Sequence, residues 1–177
     1  MTSLAHTLVG SSIALLCMPV MEKARLRLMF MGAMIAVANL PDWPIPGWGH
    51  FRLDISHSII ANGGLMLCLL VTWRILAGSL FGKCRPVAVG VLAAWMSHLL
   101  LDTLYVDSSL AIFWPVSAAG VSLPVPWLKT LPHVPPPFDH QIQRILMLET
   151  FTFLPLVILA AAMRLRCRVG RKIPLFI

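Results

Sequence analysis

Apolar residues run through the chain in five blocks, roughly 4–21, 27–41, 58–81, 86–105 and 145–163. Nearly all charge lies between them. A helix crossing a bilayer needs about 20 consecutive apolar residues, so each block predicts a transmembrane helix. The second is short and is expected to tilt or to sit half-buried among its neighbours. Residues 106–144 break the pattern, with half of the 14 prolines and two of the six tryptophans. There, "FWPVSAAGVSLPVPWL" reads as a re-entrant or interfacial segment. "LPHVPPPFDH" reads as a loop, because proline removes a backbone donor and fixes φ. No internal repeat or low-complexity tract is present. The pattern predicts one all-α membrane domain over 1–177: an integral helical bundle of about five spans, with 106–144 outside and 164–177 as a basic tail.

Composition points the same way. The 177 residues are 58% hydrophobic and 12% charged, against about 25% charged in soluble domains. The mean hydropathy is +0.84. The net charge of +7 does not describe a nucleic-acid surface, because the cations fall in short clusters between apolar blocks, so no nucleic-acid partner is expected. Lys23, Arg25 and Arg27 lie around the connection of the first two blocks, and Arg74, Lys83 and Arg85 around that of the third and fourth. Arg164, Arg166, Arg168, Arg171 and Lys172 follow the fifth. That places 11 of the 14 cations on one face, which the positive-inside rule makes cytoplasmic. The expected topology is N-out, C-in. The first block has no cation before it and no convincing cleavage site, so it reads as a retained helix rather than a signal peptide. The four cysteines form no CxxC and read as apolar packing residues.

On this topology all six histidines and six of the seven acids fall on the outer side. His6 opens block 1, Asp42 closes block 2 in "NLPDWP", and His57 opens block 3 in "ISHSII". Block 4 carries His98 and Asp102 in "SHLLLDTLY". Counted from Pro86, these two lie about 18 and 24 Å along a helix, in the outer half of a core about 30 Å thick. Residues at i and i+4 share a helix face. Imidazole and carboxylate are natural ligands for Zn²⁺, and an ionised Asp in hydrocarbon needs a partner. A single histidine at a span end is usually an interfacial residue, and His98 with Asp102 alone could be a hydrogen-bonded pair joining helices. Five such groups at one depth point instead to a metal site made of His6, Asp42, His57, His98 and Asp102. His50, His133 and His140 fall in loops, where solvated or substrate-side roles are expected.

These motifs, in this order, resemble the YdjM-like inner-membrane proteins described as membrane-bound metal-dependent hydrolases. "AHTLVG" stands for the family's T-H-x-x-x-G, "NLPDWP" for L-P-D, "HFRLDISHS" for H-R-G-x-T-H-S, and "HLLLDTLYVDSSLAIFWP" for H-x-x-x-D-x-x-T. The resemblance covers about residues 1–116. It implies distant kinship with the zinc phospholipase C and single-strand nuclease superfamily. It further implies that Asp42, His57, His98 and Asp102 hold one zinc, with Asp102 bridging to a second held partly by His6. The chain departs from the pattern at Gly-His-Phe-Arg, where the family has His-Arg-Gly. It also lacks a later His-x-x-x-Glu, since Arg144 stands four residues after His140. The expected function is a hydrolase of a bacterial cytoplasmic membrane with an outward-facing site, in which His98, Asp102 and Arg52 are catalytic. Arg52, His50 or Lys129 would hold an anionic head group. The depth of the site favours a membrane lipid, a phospholipid or another phosphate ester, as substrate. Two other readings stay open: a metal or proton transporter, and a non-catalytic scaffold with a structural metal.

Overall fold

The computed structural model describes residues 3–21, 23–43, 46, 53–77, 81–106, 108–130 and 140–170. Its helices are α1 (Ser3–Cys17), α2 (Ala24–Asn39), the short α3 (Leu53–Ser56), α4 (Ile59–Ala77), α5 (Phe81–Thr103) and α6 (His140–Gly170). A 3-10 turn over Leu40–Asp42 extends α2. Among the described residues there is no strand, only an isolated antiparallel bridge between Leu110 and Val121. The protein is therefore all-helical, and the five long helices fall on the five apolar blocks.

Their ends have local causes. α1 stops at Cys17 because Pro19 has no N–H, and the amide of Met18 makes the last bond, 2.8 Å to the Ala14 carbonyl. At the end of α2, Pro41 lies in the tightened 3-10 turn, closed by the Trp43 amide donating to Leu40 O at 3.1 Å. α4 begins behind Ser58, whose Oγ accepts from the amides of Ile60 (3.2 Å) and Ala61 (3.1 Å) as an N-cap does. α6 does not stop where the basic tail was expected to begin; it runs on to Gly170.

Among the described residues, three segments are long and apolar enough to cross a membrane: Ile59–Leu76, Pro86–Thr103 and His140–Cys167. α1 and α2 have 15 and 16 residues, about 22–24 Å at about 1.5 Å per residue. α1 packs against α2, α5 and α6, and α2 against α1 and α5, although α2 buries only Met34 and Ala38 and exposes Leu26, Leu28 and Met29. Of the long helices, α4 packs on α5. Only 11% of Ile59–Leu76 is buried, against 50% of Pro86–Thr103, and Leu67, Leu69 and Ile75 are exposed. An all-round apolar helix that packs mainly on α5 along its length suits lipid on its remaining faces.

Close approach of the central helices depends on two glycines. A Cβ on Gly10 would lie 2.8 Å from Ala38 Cβ and 3.3 Å from Met34 O. One on Gly90 would meet Met34 Cε at 2.7 Å and Cys17 Cβ at 2.8 Å. Small residues let helix backbones approach where water supplies no driving force. At the far end, Arg164 of α6 donates from Nη1 to the carbonyls of Leu15 (2.7 Å) and Met18 (2.8 Å), fastening α6 to the end of α1.

The chain after α5 folds back over one end of the bundle. Leu123 N donates to Thr103 O (2.7 Å), Val125 N to Leu104 O (2.8 Å), and Ile59 N to Ile112 O (2.7 Å). Beneath it, Tyr105 and Leu128 pack with Ala5, Leu101 and Phe153. This end contains His6, Asp42, His57, His98 and Asp102.

Candidate metal centre

The site is assembled from helix ends. His6 lies in the first turns of α1, Asp42 in the 3-10 turn after α2, and His57 between α3 and α4. His98 and Asp102 occupy the last turns of α5. All five predicted residues come together. His6, His57, His98 and Asp102 are buried, and Asp42 keeps 18% exposure, so its side is the one that opens outward.

The three imidazoles present Nε2 to the two carboxylates. His57 Nε2 is 2.9 Å from Asp102 Oδ2 and 3.2 Å from Asp42 Oδ1. His98 Nε2 is 3.2 Å from Asp102 Oδ2, 3.5 Å from Asp42 Oδ1 and 3.3 Å from His57 Nε2. These four atoms thus have five mutual separations between 2.9 and 3.5 Å. Four N and O ligands around a tetrahedral ion, with bonds of about 2.0–2.2 Å, stand about 3.3–3.6 Å apart. The other carboxylate oxygen, Asp102 Oδ1, is 3.0 Å from His6 Nε2. The rings of His6 and His98 stack at 3.9 Å between centroids.

Proximity does not satisfy these atoms. Both ring nitrogens of His6, Oδ1 of Asp42 and both oxygens of Asp102 are buried with no hydrogen-bond partner. Leaving so many polar atoms unpaired is costly. A cation at their centre would answer all but His6 Nδ1. The group His6, Asp42, His98 and Asp102 can hold a metal ion, with one ligand atom from each lying within 4.8 Å of the others. Asp42, beyond the apolar segment of α2, is pushed up by burial, but the neighbouring His57 and His98 rings outweigh this and hold its carboxyl below the usual carboxylate range.

The outer nitrogens of His98 and His57, though not of His6, are held as those of metal-ligating histidines usually are. The carbonyl of Ala38 lies 2.8 Å from His98 Nδ1. A carbonyl only accepts, so Nδ1 carries a proton, and in the neutral ring the Nε2 lone pair is then free for a metal. His57 Nδ1 lies 2.8 Å from Ser56 Oγ. The segment bearing His57 is clamped by Asn62, buried in the first turn of α4. Its Nδ2 donates to the carbonyls of Ser56 (2.8 Å) and Ser58 (2.7 Å), and its Oδ1 accepts from Trp95 Nε1 at 2.6 Å. Trp95 stands one turn before His98 on α5. Asn62, Trp95 and the Ala38 carbonyl were not singled out in the sequence. An asparagine opening an apolar block was the available signal.

A second buried polar pair lies beside the cluster. Tyr105 donates to Glu149 Oε1 at 2.8 Å, both side chains being fully buried. The loop residues contribute less. His140 and Arg144, expected in the outer loop, instead open α6, and both are exposed, as is Lys129. Arg52, His50 and His133 lie outside the described residues. Cys17, Cys68 and Cys167 are free thiols, Cys17 half-buried and the other two exposed, so packing accounts for Cys17 best.

Compared with family models, curated proteins and solved structures, the chain matches none. Fold and site together define a class: an all-helical protein with helices long and apolar enough to cross a membrane and a buried His/Asp cluster that can hold a metal ion.

Proposed function

We propose that this protein is a membrane-embedded metal-dependent hydrolase, acting on a phosphate ester such as a lipid head group at the outer side of a bacterial cytoplasmic membrane. One observation carries the reading. Five ligand-type side chains from four separate parts of the chain converge at one end of the bundle at ligand spacing, and buried atoms of His6, Asp42 and Asp102 there have no hydrogen-bond partner. Kinship with the YdjM-like proteins rests on the order of the motifs that deliver these residues.

A divalent metal, zinc by its N/O ligand set, would supply acidified water and polarise a phosphoryl oxygen. The chain's own residues do the rest. His57, His98, Asp42 and Asp102 Oδ2 form one binding set, and Asp102 Oδ1 with His6 begins a second. Ala38 O and Ser56 Oγ fix the ring orientations. The surrounding apolar helices keep water from the inner side, and substrate would approach past Asp42. Arg52 and the exposed Lys129 remain the groups proposed to take up an anionic head group.

The scaffold reading keeps one specific support. A first position with four protein ligands is closed, as structural zinc sites are. The His6–Asp102 Oδ1 position, with fewer protein ligands, is where catalysis would need an open place. A transporter fits less well, because it needs polar groups through the other half. Between the cluster and the arginines of the far end, the described buried side chains of the central helices include Ala14, Met34 and Ala88, and the buried Ser12 hydroxyl is used up in donating to the Leu8 carbonyl.

Metal analysis of the detergent-purified protein tests the centre. One or two equivalents of zinc are expected, and His98→Ala should lose most of it. Metal-free protein with undiminished thermal stability and activity would refute the proposal.

A further inference from the structure

The opposite end of the bundle carries a second polar feature inside an apolar setting. A half-open groove of about 330 Å³ lies where the last turns of α1 and α6 meet the first turns of α2. Met18, Met31, Ala161 and Leu165 line it, with two arginines, Arg27 and Arg164, among them. Arg164 is fixed in position by the carbonyls of Leu15, Met18 and, through Nη2 at 3.3 Å, Pro19. Arg27 is half-buried, and the first turn of α2 itself contains no acid. Lys23 and Arg25, both exposed, add to the positive charge. Lys23 as N-cap makes no side-chain capping bond, so the positive end of the α2 dipole points the same way. Two lining residues, Leu28 and Leu165, are 72% and 62% exposed. The groove therefore opens onto the apolar outer surface of the helices.

We propose that this groove binds an anionic phospholipid of the leaflet at the basic end, with its phosphate between Arg27 and Arg164. Planar guanidinium groups suit phosphate oxygens, and basic pockets between membrane helices are suited to anionic head groups. The volume holds a phosphate and the start of one acyl chain, which continues along Leu28 and Leu165 into the lipid-facing surface. Continuity with that surface favours a lipid over a soluble phosphate. Bound there, the lipid ties α2 to the α1–α6 pair at the end remote from the metal cluster.

The test uses the full chain in detergent, titrated with phosphatidylglycerol, with phosphatidylcholine of the same acyl chains, and with glycerol phosphate. Binding is read by native mass spectrometry and by thermal unfolding. Phosphatidylglycerol should bind saturably and raise the melting temperature, and the other two should not. Arg27→Gln should weaken that binding about tenfold, the loss of one charge-assisted contact. Arg166→Gln, exposed at the same end but outside the groove, should bind as wild type does. Arg164→Gln is avoided because Arg164 also holds the end of α1. Equal binding of the two lipids would overturn the proposal. So would an equal loss in Arg27→Gln and Arg166→Gln, which would mean diffuse surface charge. Stabilisation by glycerol phosphate as strong as by phosphatidylglycerol would show a site for free phosphate, and the lipid proposal would fail.

Discussion

Asp102 is the residue on which the centre turns. Its two oxygens face different partners, Oδ2 toward His57 and His98, Oδ1 toward His6. Asp102→Asn keeps shape but replaces one oxygen by a donor and removes the charge. The variant should still insert and fold, yet lose phosphoesterase activity by about a thousandfold or more, if a metal supplies the barrier reduction expected of such sites. His140→Ala, exposed at the start of α6, should change the rate little. A panel of phospholipids and phosphodiesters across several pH values makes the comparison. Equal loss in both variants would mean that the outer loop does more than present a surface. Asn62 tests the support rather than the ligands. Asn62→Leu leaves Trp95 Nε1 without its acceptor and frees the Ser56–Ser58 backbone that carries His57. Zinc affinity should fall about 10–100-fold, as when other outer partners of metal ligands are lost, with helical content unchanged. Unchanged zinc affinity would show that His57 is held by other means.

At the level of the helix, the centre depends on how closely α1 and α2 approach. Gly10 sits against Ala38, and Ala38 supplies the carbonyl that orients His98. A side chain at Gly10 must push α2 outward and carry that carbonyl with it. Gly10→Val should cost roughly 1–3 kcal/mol, the usual range for overpacking, and should also reduce retained zinc. Gly32 lies on the same helix pair with nothing within 4 Å of an added Cβ, so Gly32→Ala should leave both unchanged or slightly improved. Thermal unfolding in detergent with parallel metal assays separates the two. If Gly10→Val melts lower but keeps its zinc, the contact is structural only.

For the whole molecule, the arrangement of ends is the consequential feature. His6 near the start of α1 meets Asp42 after α2 and His98 near the end of α5. At the far end, Leu15 meets Arg164 of α6. Successive long helices therefore alternate in direction, as crossings of one membrane must. Together with the cation clusters, this supports an outward-facing cluster and an inward-facing Arg27–Arg164 end. A cysteine at Ala118, exposed after α5, in a chain whose own cysteines are replaced by serine, should react with an impermeant maleimide on intact cells. A lone Cys167 should react only after permeabilisation. The reverse result would invert the orientation and place the cluster on the cytoplasmic side.

The sequence by itself determined the helical class, the five apolar blocks and the five residues that meet. Those properties are written locally: lipid exposure demands long apolar runs, and an ionisable group within them stands out because hydrocarbon penalises it. Helix ends were less legible, since α6 continues through its basic stretch while carbonyls of α1 take up Arg164. What only the tertiary structure decided is everything that depends on distance across helices. His6 and Asp102 are 96 positions apart in the chain and 3.0 Å apart in space. The tautomer of His98 is set by a carbonyl of α2, and the clamp on His57 by Asn62 and Trp95. A backbone carbonyl has no signature in a sequence, and an asparagine in an apolar block acquires its role only when a neighbouring helix brings it a donor.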